Sequence, residues 1–212
     1  MIIGLSGYAQ VGKDTVANYL VEKYGFVKVS FADPIREALL KLDPHISDYP
    51  GLPNIKLSWI VKKGGWEEVK ANSPYTRNLL QRLGTEVGRE MFGDDFWVTQ
   101  GLLRAKEHDR VVFADVRFPN EALAIKHNNG LVWRVNKKGH APVNLHPSEV
   151  ALDNFDFDNV LLNNSDINEL QKNVDNIMQS QNSLQYPLTL IRCRKGNRWH
   201  VGSIPTWRTY NS

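Results

Sequence analysis

Apolar residues along this chain fall into short unbroken runs separated by longer stretches of helical period. Ile2, Ile3 and Leu5 make the first run; residues 27–32, 110–114, 131–135 and 159–162 make the others. Runs of this length without strict alternation predict strands covered on both faces. Between them, Val16, Ala17, Leu20 and Val21 share one face of a helix that Gly25 ends, and Leu39, Leu40 and Leu42 continue a stripe begun near Pro34. Leu79, Leu80, Leu83, Val87 and Met91 predict one helix over 74–92, in which Gly84 and Gly88 mark close packing or a bend. Further helices are expected over 94–107, 120–127 and 166–178. Strands alternating with helices predict a parallel α/β sheet with right-handed crossovers. Ligands of such sheets gather at the carboxyl ends of the strands, here Ser6 onward, Ala32 and Asp33, Asp115, and Asn136.

Three segments break the alternation. Pro44, Pro50, Gly51, Pro53, Gly64 and Gly65 punctuate residues 43–73, which read as a surface excursion with a short helix. Residues 136–158 are polar and loop-like. Residues 188–193 and 199–204 are strand-like around a basic turn, a hairpin suited to pairing with the sheet edge, to a dimer contact, to an anionic partner, or to no more than a structural appendage. The expected division is therefore 1–181 for the main domain, with 43–73 as an insertion and 136–158 as a lid-like loop, and 182–212 for the hairpin extension.

The first strand runs into Gly7-Tyr8-Ala9-Gln10-Val11-Gly12-Lys13, followed by Asp14, Thr15 and an amphipathic helix. Strand, Gly-x-x-x-x-Gly-Lys and helix together make a phosphate-binding loop in its required setting. Gly7 and Gly12 let the backbone bend so that its N–H groups converge on phosphate oxygens. The helix adds its positive end, and Lys13 can bridge the β- and γ-phosphates. Gly7, Gln10, Val11, Gly12, Lys13, Asp14 and Thr15 are thus the expected nucleotide-binding residues. Asp14 stands where Ser or Thr normally holds Mg²⁺, and an anion there repels a triphosphate unless a metal or another cation intervenes. Asp14 can reach the metal through water or cap the helix, while Thr15 contacts the α- or β-phosphate.

Composition narrows the class without changing the picture. Of 212 residues, 42% are hydrophobic and 23% charged, ordinary for one globular domain with insertions. The net charge of +3 suits anionic small molecules and is too weak to argue for nucleic acid. One cysteine, Cys193, rules out an internal disulfide and makes a reducing cytoplasm the simplest setting. A core strand at the N-terminus leaves no room for a signal peptide, and no apolar run approaches membrane-spanning length.

A phosphate loop is shared by switches, motors and small-molecule kinases, so a second constellation has to separate them. Residues 113–121 read FADVRFPNE, placing Asp115 at the end of an apolar strand with Arg117 two residues on. Asp115 lies where phosphoryl-transfer enzymes keep an acid for metal or substrate, and Arg117 offers a fork that binds phosphate through two hydrogen bonds. The alternative is Asp115 as a helix cap with Arg117 as its surface partner.

At this point the chain resembles the bacteriophage deoxynucleoside monophosphate kinases, a divergent branch of the nucleoside monophosphate kinase family. The likeness rests on Gly7 to Thr15 with its Gly-Lys-Asp-Thr ending and on residues 31–36 (FADPIR). It continues through 80–86 (LQRLGTE), 92–97 (FGDDFW), 115–121 and 146–149 (HPSE), and spans roughly residues 1–178. It implies a P-loop NTPase fold, three layers α/β/α around a parallel sheet, with the C-terminal β-hairpin outside the match. It also implies transfer of the ATP γ-phosphoryl group, with Mg²⁺, to a deoxynucleoside monophosphate, raising the supply of DNA precursors. On this reading Lys13, Asp115 and Arg117 are catalytic, and Asp14 and Asp115 serve the metal. Asp33, Arg36, Arg77, Gln81, Trp97 and Arg117 meet the acceptor, with Arg82 a further candidate. Gln81 is suited to a base edge or sugar and Trp97 to stacking, or both to packing. Lys137 and Lys138 fall on the donor side, and His146 and Glu149 either contact nucleotide or stabilise their own turn. The expected setting is the cytoplasm, the host's if the chain is phage-encoded, with no membrane or nucleic-acid partner and a homodimer left open. Two rival readings remain: a kinase for phosphomevalonate or dephospho-coenzyme A, and a nucleotide-dependent nucleic-acid-binding protein.

Overall fold

A computed structural model describes residues 1–52, 54–142, 150–185, 191–195 and 198–202, with side chains as far as residue 181. His146 and Glu149 therefore lie outside the described residues. The chain divides into two compact units, Met1–Gln171 and Lys172–Ser212.

In the first unit, β1 (Ile2–Ser6), β2 (Val27–Val29), β5 (Val111–Phe113), β6 (Leu131–Asn136) and β7 (Asn159–Leu162) form one sheet in the order β2-β5-β1-β6-β7. Every pairing is parallel. Helix α1 (Lys13–Tyr24) follows β1, α2 (Asp33–Leu42) follows β2, and α5 (Phe96–Ala105) and α6 (Pro119–His127) flank β5. Val29, Val111, Phe113 and Val132 pack with Val98 and Ala105 of α5 and Ala122 and Ile125 of α6 in one buried cluster. Side chains alternate across a strand. Ile3, Leu5, Val112 and Trp133, all fully buried, therefore belong to the opposite face, where α1 contacts β1 and β5. The result is the three-layer P-loop architecture, with the glycine-rich turn at the carboxyl end of the central strand.

Strand β2 stops three residues short of the expected Ala32. Its end is turned by Asp33, whose Oδ2 accepts the Ser30 N–H at 2.8 Å while the Asp33 N–H bonds back to the Ser30 carbonyl at 3.0 Å.

Residues 43–73 correct the expectation of a surface excursion. They hold a two-stranded antiparallel sheet, β3 (His45–Ile46) with β4 (Ile55–Lys56), and a helix α3 (Leu57–Asn72) of 16 residues. Ile46, Leu57, Ile60 and Val69 bury with Leu39 of α2 in a second core. Gly65, at φ 73° and ψ 174°, kinks α3, and that break in the apolar period hid its length.

The expected helix over 74–92 is two elements. Helix α4 (Pro74–Arg82) is capped by Ser73, whose hydroxyl accepts the Thr76 N–H at 3.0 Å, and leads into a π-helical stretch, Leu83–Met91. The indole of Trp97 sits against this stretch and donates to the Gly84 carbonyl at 2.9 Å. A Cβ on Gly88 would lie 1.8 Å from the indole nitrogen, so only glycine admits the ring there.

Helix α7 (Ile167–Gln185) crosses from the first unit into the second. The second unit also holds the antiparallel pair β8 (Ile191–Lys195) and β9 (Arg198–Gly202), which makes a two-stranded sheet of its own. Among the described residues no helix is long and apolar enough to cross a membrane.

Candidate active site

Positive φ angles at Gly7 (140°), Gln10 (61°) and Gly12 (103°) curl the loop between β1 and α1. A side chain at Gly7 would strike the Val135 carbonyl of β6, 2.3 Å from the added Cβ, so β6 supports the loop from below. Asn163, just past β7, holds its far side by donating Nδ2–H to the Val11 carbonyl at 2.9 Å. Lys13 folds over the loop, its Nζ donating to the Gly7 and Tyr8 carbonyls at 2.7 Å each. Gly12 caps α1 without a side chain, which leaves the positive end of that helix directed at the loop.

The outer rim is tied by Tyr8. Its ring packs against the guanidinium of Arg134, 4.6 Å away, which also lies 5.5 Å from Phe157. Arg134 is only 7% exposed and pairs with Asp153 at 2.9 Å. Burial raises the Tyr8 phenol above its ordinary value, and its hydrogen bond with Asp153 adds to the rise.

Asp14, expected at the metal, points elsewhere. Its side chain is 79% exposed and forms an ion pair with Lys28 of β2 at 2.6 Å. A lysine thus supplies a cation beside this carboxylate. Thr15 is half-buried in the first turn of α1.

Asp115 stands at the end of β5, and the next residue's N–H, Val116, donates to the Leu5 carbonyl at 3.2 Å. That bond seats the acid beside the strand that feeds the phosphate loop. The Asp115 carboxylate accepts from the Ser30 hydroxyl and from the Phe31 N–H at 3.2 Å. Desolvation raises its pKa; the two hydrogen bonds and Arg117 oppose this, while the neighbouring Asp33 charge adds to it. Ser30 thus joins Asp115 to Asp33, and Asp33 in turn holds Arg36 at 3.0 Å. Asp33, Arg36 and Asp115 come together as expected, around a serine that carried no sequence signal.

Arg117 is exposed at the mouth of the same loop. Its backbone N–H and that of Phe118 are accepted by Glu121, at 2.7 and 3.1 Å, and Glu121 is only 6% exposed. Burial pushes this carboxyl up to about 7; the Arg117 N–H opposes the rise and the Asp115 charge adds to it. Glutamate at the third helical position after Pro119 is a helix-start signal, so the sequence marked the cap but not its burial.

Other expected acceptor residues are placed differently. Trp97 is 8% exposed, with its N–H satisfied by Gly84, so it packs and offers no stacking face. Arg77 donates to the Lys70 and Ala71 carbonyls and closes the end of α3. Arg82 is exposed and paired with Glu86 at 3.0 Å. Gln81 and Lys137 are exposed, and the Lys138 N–H is held by Asn164 at 2.7 Å.

Residues 66–174 match the family model described as deoxynucleotide monophosphate kinase. A protein of Acanthamoeba polyphaga mimivirus to which deoxynucleotide monophosphate kinase activity is ascribed is 31% identical over 189 residues, covering 82% of this chain and 94% of that protein. The chain belongs to the deoxynucleotide monophosphate kinase family. It is therefore a phosphotransferase acting on deoxynucleoside monophosphates, which selects this reading over the coenzyme-precursor and nucleic-acid readings. Among solved structures, the kinase is similar to shikimate kinase from Aquifex aeolicus (TM-score 0.44, 15% identity, 88% of this chain and 100% of that one). It is also similar to dephospho-CoA kinase from Campylobacter jejuni (TM-score 0.45, 14% identity, 87% and 98%). Neither likeness bears on the substrate.

Proposed function

We propose that the kinase holds ATP in the Gly7–Thr15 loop and passes its γ-phosphoryl group to a deoxynucleoside monophosphate gripped by Arg117 and Arg36, with Asp115 serving a magnesium ion. The observation that carries this reading is the bond from the Val116 N–H to the Leu5 carbonyl, which sets Asp115 beside the strand that leads into the phosphate loop. Asp115 and Asp33, joined through Ser30, form a hard-oxygen set of the kind magnesium accepts alongside phosphates and water. Desolvation raises the pKa of Asp115, and a bound cation would favour its charged form. When bound, magnesium neutralises charge on the β- and γ-phosphates.

Catalysis then rests on placement and charge. Lys13 exchanges the Gly7 and Tyr8 carbonyls for phosphate oxygens, and the loop amides complete the donor cradle. The guanidinium of Arg117 pairs with the acceptor phosphate in two parallel hydrogen bonds and holds its oxygen in line. No general base is required, because the attacking phosphate oxygen is already anionic. Residues 43–73 form the wall nearest the acceptor, and the enzyme works in the cytoplasm on a small nucleotide, supplying DNA precursors.

The test is coupled ADP release across the four deoxynucleoside monophosphates, their ribose counterparts, phosphomevalonate and dephospho-coenzyme A. Turnover with at least one deoxynucleotide, dependent on magnesium, is expected. Turnover with a coenzyme precursor alone, or unchanged rates in EDTA, would defeat the proposal.

A further inference from the structure

We propose that Glu121 is the positioning residue for Arg117, and that Arg89 braces it from the π-helical stretch. The proposal rests on the acceptor role given to Arg117 above. Pro119 at the first position of α6 has no N–H, so the donors just ahead of the helix belong to Arg117 and Phe118. One oxygen of Glu121 accepts both, at 2.7 and 3.1 Å. Two bonds to a single buried oxygen fix the backbone of this dipeptide, and with it the direction in which the Arg117 side chain leaves the loop. The other oxygen faces Arg89 at 3.9 Å. The guanidinium of Arg89 also lies over the Phe118 ring, 4.5 Å from its centroid. Glu121 is thereby held on one side by the loop it shapes and on the other by a cation from a separate element.

A glutamate at this helical position is commonly a solvated cap, contributing to helix stability and nothing more. Here the carboxylate is 6% exposed, and the loop it closes carries Asp115 and Arg117 in three consecutive residues. Small displacements of such a loop are costly to transfer, because reacting groups a fraction of an ångström out of line lose much of their effective concentration. Side-chain loss at Glu121 therefore acts on acceptor binding through Arg117, and leaves the ATP cradle between β1 and α1 alone.

The experiment measures KM for the best deoxynucleotide, KM for ATP and kcat in the wild type, Glu121→Ala, Glu121→Gln, Arg117→Ala and the double alanine variant. Glu121→Ala should raise the acceptor KM about tenfold with ATP KM within about twofold of wild type. Glu121→Gln, whose amide oxygen still accepts both N–H groups, should restore most of that loss. The double variant should be no worse than Arg117→Ala, since one residue acts through the other. An acceptor KM unchanged in Glu121→Ala, with only a lower melting temperature, would reduce the residue to a cap and overturn the proposal. So would losses that multiply in the double variant. An Arg117→Ala enzyme with a normal acceptor KM would instead remove the role of Arg117 itself, and both readings with it. Should Glu121→Ala fail to fold, Arg89→Ala takes its place: about a two- to fivefold rise in acceptor KM is expected from the weaker brace, and no change would overturn the proposal.

Discussion

Replacing Glu121 by Gln removes one ionisable group while keeping its shape and an acceptor for the Arg117 and Phe118 N–H groups. In the folded protein, burial lifts this carboxyl from the ordinary glutamate value of 4.5 to about 7. A raised acid is one that the fold prefers protonated. Below about pH 4.5 the group is neutral in both folded and unfolded chains and costs nothing. Between about 4.5 and 7 the unfolded chain releases the proton and the folded one keeps it, so stability falls as pH rises; above about 7 the loss is complete. A gap of that size corresponds to about 3 kcal/mol, the free energy of charging a desolvated carboxylate. For a chain of this length that is about 6–12 °C in melting temperature. Thermal and urea unfolding of wild type and Glu121→Gln at intervals from pH 5 to 8.5 would read it, since every other titrating group is common to both proteins. The variant should gain on the wild type from pH 5 up to about 7 and hold a constant lead above it. Two curves that stay parallel to within about 0.5 kcal/mol would refute the argument that Glu121 is charged at a cost.

Lys13→Ala should cut transfer by about a hundred- to a thousandfold while its melting curve stays near wild type, because Nζ donates to the Gly7 and Tyr8 carbonyls, bonds that stay within the loop; near-normal ADP release would move the donor site elsewhere. Lys28→Ala leaves the Asp14 carboxylate unneutralised beside the phosphate loop. The pair is well exposed, so ATP KM should rise only about two- to fivefold and the rise should shrink at high salt, a dependence read by repeating the titration in 0.5 M salt. Gly88→Ala drives a methyl group into the Trp97 indole and should cost about 1–3 kcal/mol, visible as a lower melting temperature and altered tryptophan emission. Unchanged stability there would mean that the indole is not seated on the π-helical stretch.

The local patterns that were legible in advance are those in which neighbours along the chain do the physical work. A glycine needed for a positive φ, a lysine at a helix start and an apolar run between turns carry their meaning within a dozen residues. The phosphate loop and the strand ends were readable for that reason, whereas Asp33 and Asp115, far apart in the chain, are joined through Ser30 in the fold. Residues 43–73 were misread because Gly65 breaks the helical period, so apolar residues on its two sides bury together without sharing one pattern. Trp97 was left between stacking and packing because nothing in its own surroundings reveals that Gly84 and Gly88, on another element, open a seat for its ring.

By itself the sequence determined the alternation of the sheet strands with their helices, the phosphate-loop pattern, and through its motifs the family. Tertiary structure alone decided which charges meet: Lys28 beside Asp14, Ser30 between two carboxylates, Asn163 under the loop, and Arg89 against Glu121. Such partners lie on different strands and helices, and electrostatic energy depends on separation and burial in space, quantities that no spacing along a chain contains.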